Sequence, residues 1–462
     1  MLTPEKVEQL EKIVGKDGLL VAPDQRTAYS YDVGRKGSQI PDAVLFPSNV
    51  EQIASIMVLA NKNNMKVLPE GSVTRRYLPS SLERTIVLST SNMNRILDMD
   101  RESLKVTLEA GTTLQMLRSA LDQEGLYFPP YPWCFETSTI GGCAANGIGG
   151  PSSSRHGVFK QFVLGMEVVL PSGEVTRIGG QTVKNVVGYD LTSLFCGSEG
   201  SLGLISALTL RLTPKPRSER VFIVEFPSTT SACAVMKGAM GSGRGPERIS
   251  MLDPWMTKGM ESFSLPGIPW GKGTTVLCQI AGLEEVVESE TNTFLELMKT
   301  NKGTVNHVVQ SPSEIETIWH AQGRCLSSIN KAAPSLMSWD IIVPYSRAVE
   351  MMKKCGQTAQ RHHVTLIHGG YYGNGVFHPV ALLSAGDKHQ QKNAEAAFAE
   401  LVQFALSVGG NAAGPFRRVG IETAKFQTSE DKHMRRVVHE IKKALDPGGV
   451  MKSLPLSNPS EL

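Results

Sequence analysis

The sequence predicts an α+β fold in two main parts, and three observations carry that expectation. Between Pro41 and about Pro214, short β-type runs alternate with helical stretches around a glycine-rich middle. The segment TPKPRSER, from Thr213 to Arg220, mixes prolines with charge and reads as a linker. Beyond it, longer strands and helices alternate again, with the suggestion of an internal pseudo-repeat. The expected divisions are an N-terminal helical segment (1–40), a first domain (41–214) and a second α+β domain (215–462).

The N-terminal MLTPEKVEQLEKIVG reads as an amphipathic helix with Thr3 as its cap and Pro4 in its first turn. It has no apolar signal core, and no later run approaches a membrane span, so a cytoplasmic chain is expected, with any membrane association arising through a partner. In the first domain the strand candidates are AVLF, TIVLS, LKVTLEA, LGMEVVL, EVTRI and LISALTLRL, and the helix candidates are VEQIASIMVLANKNN and TLQMLRSALDQEG. In the second they are VFIVEF, a helix around Ala232–Met240, TTVLCQIAG, a helix from Leu283, DIIVP, a helix from Ser346, VTLIHGG and GVFHPVALLSA. Hydrophobic residues at 41% and charged residues at 20% describe a globular chain, and a net charge of +3 argues against nucleic acid as a partner. The seven cysteines are dispersed singly, without a CxxC pair, and read as small core residues rather than as a disulfide framework or a cluster-ligand set.

Three segments carry the functional signal. The stretch TIGGCAANGIGGPSSSRHG holds six glycines between Thr139 and Gly157, which implies close backbone approach to something. It is not a dinucleotide fingerprint: no β-branched strand precedes it, and Ser152 stands where the third glycine belongs. The loop LPEGSVTRR places Gly71, Ser72 and Thr74 in a turn whose amides can converge on an anion, with Arg75 and Arg76 adding positive charge. Taken alone it reads as a surface turn. With the glycine segment and the third cluster, CGSEGSLGLISALTLRL, it becomes a three-part signature.

These pieces resemble the FAD-linked oxidases of the vanillyl-alcohol-oxidase type, and within them the flavoprotein subunits of glycolate oxidase and D-lactate dehydrogenase. The matching stretches are PDAVLFPSNVEQIASIMVLAN, LPEGSVTRR, FPPYPWCFETSTIGGCAANGIGG, HGVFKQFVLGMEVVLPSGEV and VKNVVGYDLTSLFCGSEGSLGLISALTLRL, in the family's order. The resemblance implies a two-part FAD-binding domain followed by a covering (cap) domain. It places the pyrophosphate over the turn of Gly71, Ser72, Thr74 and Arg75. Pro130, Thr139, Ile140, Gly141, Gly142, Asn146 and Gly147 would line the cofactor's path, with Gly197, Ser198, Glu199, Gly200 and Ile205 on its other side. Relatives that attach flavin covalently use a histidine in the pyrophosphate loop. None lies between Pro69 and Ser81, so noncovalent FAD is expected and His156 reads as structural.

The chain also departs from the family. Residues Glu70 to Tyr77 carry bulk where relatives carry glycine. The family's metal motif, H-x-G-D-G-N-x-H, is met here by GGYYGNGVFHP, which retains His378 but puts Tyr371 at the first histidine; His368 is three residues early. Pro415 and Phe416 replace a later Glu-His pair, and Gln322 stands at a carboxylate-gripping arginine. No metal is therefore expected. His378, Tyr371 and Tyr372 are the candidate catalytic groups, near His368 and Asn374, with Arg324 or Arg417 as a carboxylate clamp. The bland alternative makes His378 and the tyrosines packing residues. Two functions follow: oxidation of a 2-hydroxy acid or related small acid by hydride transfer to FAD, or a non-catalytic flavin electron-transfer subunit of an iron–sulfur complex. Either needs a partner, an iron–sulfur subunit of the glycolate-oxidase type or an electron-transfer flavoprotein, because the chain has no relay of its own.

Overall fold

The computed structural model describes residues 2–30, 40–72, 82–241, 245–333, 335–413 and 429–452. The N-terminal helix Pro4–Val14 forms as expected, with the Thr3 hydroxyl accepting from the Lys6 amide and proline in the first turn. The first two sheets build the FAD-type half. One orders Leu19–Leu20, Ala43–Leu45, Thr85–Ser89 and Lys66–Glu70, the last three mutually parallel. Its apolar strands are buried on both faces because the helix Val50–Lys62 and other segments cover them, as parallel sheets require. The second sheet is antiparallel, in the order Ile96–Asp100, Lys105–Glu109, Leu204–Arg211, Val163–Val169, Val175–Gly179.

The expected linker is not a loose tether. Thr213–Pro214 pairs with Leu126–Tyr127, and the strand Ser218–Phe226 begins almost at once. Edge pairing tolerates Pro214, which has no amide to donate.

The second half is built on one sheet of nine described strands. The suggested pseudo-repeat is present in its topology. Ser218–Phe226, helix Thr229–Gly241, Arg248–Leu252, Thr274–Gly282, helix Glu284–Thr300 and Thr304–Val309 form one βαββαβ unit. Asp340–Ile342, helix Ala348–Arg361, Thr365–Tyr371, Val376–Leu383, helix Lys388–Ser407 and Asn411–Ala413 form a second, in mirrored strand order. The units join where Met251 and Leu252 pair with Gly370 and Gly369. Among the described residues no helix is long and apolar enough to cross a membrane.

Between the halves runs a single apolar core, from Val106 and Phe159 through Leu252 and Trp319 to Val380. Set into it is a polar knot. Glu247, 2% exposed, accepts from Tyr127 at 3.0 Å and meets the His156 ring at 2.9 Å, with Arg155 at 3.3 Å. Arg248 donates to Tyr127 at 3.0 Å and lies over the Tyr131 ring. His156 is thus the structural histidine the sequence suggested. Burial pushes the Glu247 carboxyl up, but the His156 hydrogen bond and the charges of His156, Arg155 and Arg248 outweigh it and hold it below its ordinary value.

A carboxylate whose folded pKa lies below its unfolded value stabilises the fold above that unfolded value. Glu247 should therefore contribute fully above pH 4.5, its ordinary value, and lose that contribution as pH falls through its folded pKa. Urea unfolding of Glu247→Ala at neutral pH should show a loss of about 3–5 kcal/mol, the cost of stripping one partner from buried cations. The gap between wild type and variant should close in acid.

Candidate functional site

The three glycine-bearing segments meet around a cavity of about 550 Å³, within the range of small-molecule and cofactor sites. Its floor is the FAD-type half. Thr139 caps the helix Ile140–Asn146, accepting from the Gly142 amide, so this stretch is a short helix. The helix end is fastened to the third segment: the Gly197 amide donates to the Ala144 carbonyl at 3.0 Å and the Glu199 amide to the Ala145 carbonyl at 2.7 Å. The first segment closes on Thr139, whose hydroxyl lies 2.1 Å from where a Gly71 side chain would start.

Not every glycine faces the cavity for the same reason. A Cβ on Gly141 would meet Ala110 Cβ at 2.6 Å, and one on Gly150 would meet the Tyr131 carbonyl oxygen at 2.0 Å, so these two are demanded by chain-to-chain packing. Gly142 has only the Thr139 hydroxyl within 4 Å and borders open space. Bare backbone at Gly142, Gly147 and Gly200 along one wall is the cradle a long dinucleotide requires.

The roof comes from the second half. His378, on Val376–Leu383, holds Asp340, on the neighbouring strand Asp340–Ile342, with Nδ1 2.6 Å from Oδ1. Trp133 reaches up from the floor with its ring centroid 5.1 Å from that of His378, and Tyr371 stands edge-on to both. Ser338, Asn374, Leu326, Ile342, Val376 and Val380 complete the roof. An imidazole tied to a carboxylate is a group that can exchange a proton.

Of the expected residues, Gly71, Ser72, Thr139, Gly141, Gly142, Asn146, Gly147, Glu199, Gly200 and Ile205 line the cavity, together with Tyr371 and His378. Pro130, Ile140 and Gly197 do not. Pro130 is buried and Pro132 takes the wall position, Ile140 packs into the core, and Gly197 spends its amide on Ala144. Ser198 is buried behind the same turn. Thr74 and Arg75 lie outside the described residues, as do Pro415, Phe416 and Arg417 and the side chain of Tyr372.

Neither Arg324 nor His368 lines the cavity. Arg324 is half-exposed and grips Glu136 with both carboxylate oxygens, tying the Trp133 loop to the helix Pro312–Ala332 rather than facing the cavity. Gln322 is buried against the Ser250 hydroxyl. His368 sits beside Asp253, where burial pushes its pKa down. Cys134 is exposed and borders the cavity, unlike the buried cysteines. Sequence reading missed Trp133, Asp340 and Lys452. The only available signals were an acidic residue opening an apolar strand and a cation just past a Pro-Gly-Gly turn, and both are common in structural roles.

Two family models match the chain: "FAD binding domain" over residues 41–179 and "FAD linked oxidases, C-terminal domain" over 215–453. The chain is 28% identical to glycolate oxidase subunit GlcD of Bacillus subtilis over 98% of this chain and 96% of that protein. It is 26% identical to a mitochondrial D-lactate dehydrogenase (cytochrome) of Arabidopsis thaliana, over 97% of this chain and 79% of that one. Among solved structures it is similar to p-cresol methylhydroxylase with substrate bound, with a TM-score of 0.78 at 15% identity over 99% and 97% of the two chains. An alkyldihydroxyacetonephosphate synthase gives the same TM-score at 20% identity, over 98% and 86%. These likenesses show the vanillyl-alcohol-oxidase type of fold.

The two kinds of glycine separate by substitution. Gly142→Leu should keep the native circular dichroism yet purify with little or no flavin absorbance, because its side chain enters the cavity. Gly150→Ala should instead lower stability in urea by about 1–3 kcal/mol through the clash with Tyr131.

Proposed function

The chain belongs to the FAD linked oxidases, and from that premise we propose that this FAD-dependent oxidoreductase oxidises a 2-hydroxy acid or related small acid, with His378 as the base. The FAD-binding match and the glycine-walled cavity support the cofactor. The observation that carries the reading is the His378–Asp340 pair in the cavity roof. Bound FAD supplies the acceptor for the hydride. The chain's own residues handle the proton. An Nδ1–H donated to Asp340 selects the tautomer whose Nε2 carries the lone pair, and Asp340 then stabilises the imidazolium that forms when Nε2 takes the substrate's hydroxyl proton. Trp133 and Tyr371 hold the ring on two sides and exclude water from that corner. Relatives of this chain are named as glycolate oxidase and D-lactate dehydrogenase, which supports a hydroxy acid as substrate. With Arg324 committed to Glu136, the carboxylate clamp of this reading is Arg417.

FAD is held noncovalently on this reading, and acid precipitation should release the flavin into the supernatant. Electrons leave through a partner, an iron–sulfur subunit or an electron-transfer flavoprotein, since the described cysteines are single and free. The relative named as an oxidase subunit supports that arrangement.

The test is an anaerobic absorbance spectrum recorded before and after addition of glycolate, D-lactate and related 2-hydroxy acids. One of them should bleach the flavin band. His378→Gln should slow bleaching by about 10²–10⁴ with FAD retained, and Asp340→Asn by a smaller factor. A band that only dithionite or a redox partner bleaches would overturn the catalytic reading in favour of an electron-transfer subunit.

A further inference from the structure

The cavity wall near Pro69, Gly71 and Gly200 has a charge problem. Glu199 lines it, and a dinucleotide bound in the cavity would bring its pyrophosphate's negative charge to the same wall. Oxygen anions brought close to a carboxylate at reduced dielectric repel it strongly unless a cation intervenes. Among the described residues lining the cavity there is one lysine or arginine, Lys452, from the far end of the chain.

Lys452 is placed there by a chain of contacts. The Val67 amide donates to the Val450 carbonyl at 2.8 Å and the Lys452 amide to the Val67 carbonyl at 3.3 Å, so Met451 forms a parallel β-bridge to Val67, on the strand Lys66–Glu70. That strand leads directly into Gly71 and Ser72. A buried ion pair fixes the bridged segment. Lys442, on the helix Ser429–Leu445, pairs with Asp446 and donates to the Ser201 carbonyl at 2.7 Å and the Met451 carbonyl at 3.3 Å. Asp446 accepts the Val450 and Met451 amides at 2.7 and 2.9 Å. Residues 446–451 are therefore bolted to the loop that carries Glu199 and Gly200. Lys452 Nζ ends 3.7 Å from the Glu199 carboxylate, with its side chain only 12% exposed. Glu199 itself has a φ of +53°, an uncommon backbone state for a non-glycine residue that holds it at this spot.

We propose that Lys452 is a cofactor-binding residue that neutralises the FAD pyrophosphate, since it is the one lysine or arginine among the described residues lining the cavity. Bolted through Lys442 and Asp446, the ammonium is in position before the cofactor arrives, which reduces the ordering cost of binding. The inference rests on FAD binding and not on the identity of the substrate.

The test measures binding to the apoprotein. Lys452→Met should weaken FAD by about tenfold or more, the usual range for loss of a charge-assisted contact, and flatten the decline of affinity with added KCl. Riboflavin, which lacks the pyrophosphate, should bind wild type and variant alike, and Lys452→Arg should retain most of the FAD affinity. Circular dichroism of each apoprotein establishes that it is folded; if Lys452→Met does not fold, Lys452→Gln takes its place under the same criteria. Unchanged FAD affinity and salt dependence in a folded variant would overturn the proposal, as would equal weakening of FAD and riboflavin. A wild-type protein that holds FAD but is bleached by no hydroxy acid defeats the hydride-transfer reading and leaves Lys452 in place.

Discussion

The site exists only while its two halves stay in register, and that register depends on one buried carboxylate. Glu247 sits at the mouth of the strand Arg248–Leu252 and takes contacts from Tyr127, Arg155 and His156, all from the FAD-type half. A buried charge with this many partners tolerates no sliding, because each lost partner leaves an uncompensated group in a medium that solvates it poorly. Beside it, the Ile249 amide donates to the Pro151 carbonyl at 3.1 Å, carrying the same registration into the backbone. The apolar core would hold the halves together without fixing their angle. The polar knot supplies the direction that dispersion cannot.

From that seam the geometry of the roof follows. The two βαββαβ units share an architecture but divide the labour. The first unit begins its Arg248–Leu252 strand at the seam and so anchors the sheet. The second unit, joined to it through Met251 and Gly370, carries Asp340, Tyr371 and His378 over the floor. Mirrored strand order puts the paired edges at the centre of the sheet, so the anchored strand Arg248–Leu252 is only two strands from His378. A small tilt at the seam would therefore reach the imidazole almost undamped.

The floor follows a different logic, in which close approach is used twice. Gly141 and Gly150 let the chain pass against itself, at Ala110 and at the Tyr131 carbonyl, and this brings the glycine segment and the Trp133 loop together. Gly142, Gly147 and Gly200 then leave the resulting wall bare. The first set makes the wall and the second keeps it open for the cofactor.

Much of this was legible in the amino-acid sequence, and the reason is locality. Alternating and continuous apolar runs such as TIVLS, LISALTLRL and TTVLCQIAG form the strands they predict, since burial of β-branched faces is decided within a few residues. The cap at Thr3 is likewise local, and the three-part glycine signature depends on residue type at fixed spacing. Distance in the chain hid the rest. Arg324 was a reasonable clamp until the fold set Glu136, 188 residues away, against it. Asp340 and Lys452 carried no motif; one meets His378 because its strand pairs with that of His378, the other reaches the cavity because Met451 bridges to Val67. Sequence by itself determined the strands, the Thr3 cap and the glycine content of each wall segment, because those rest on near neighbours. Only the tertiary structure decided which charges meet, because an electrostatic partner is chosen by proximity in space.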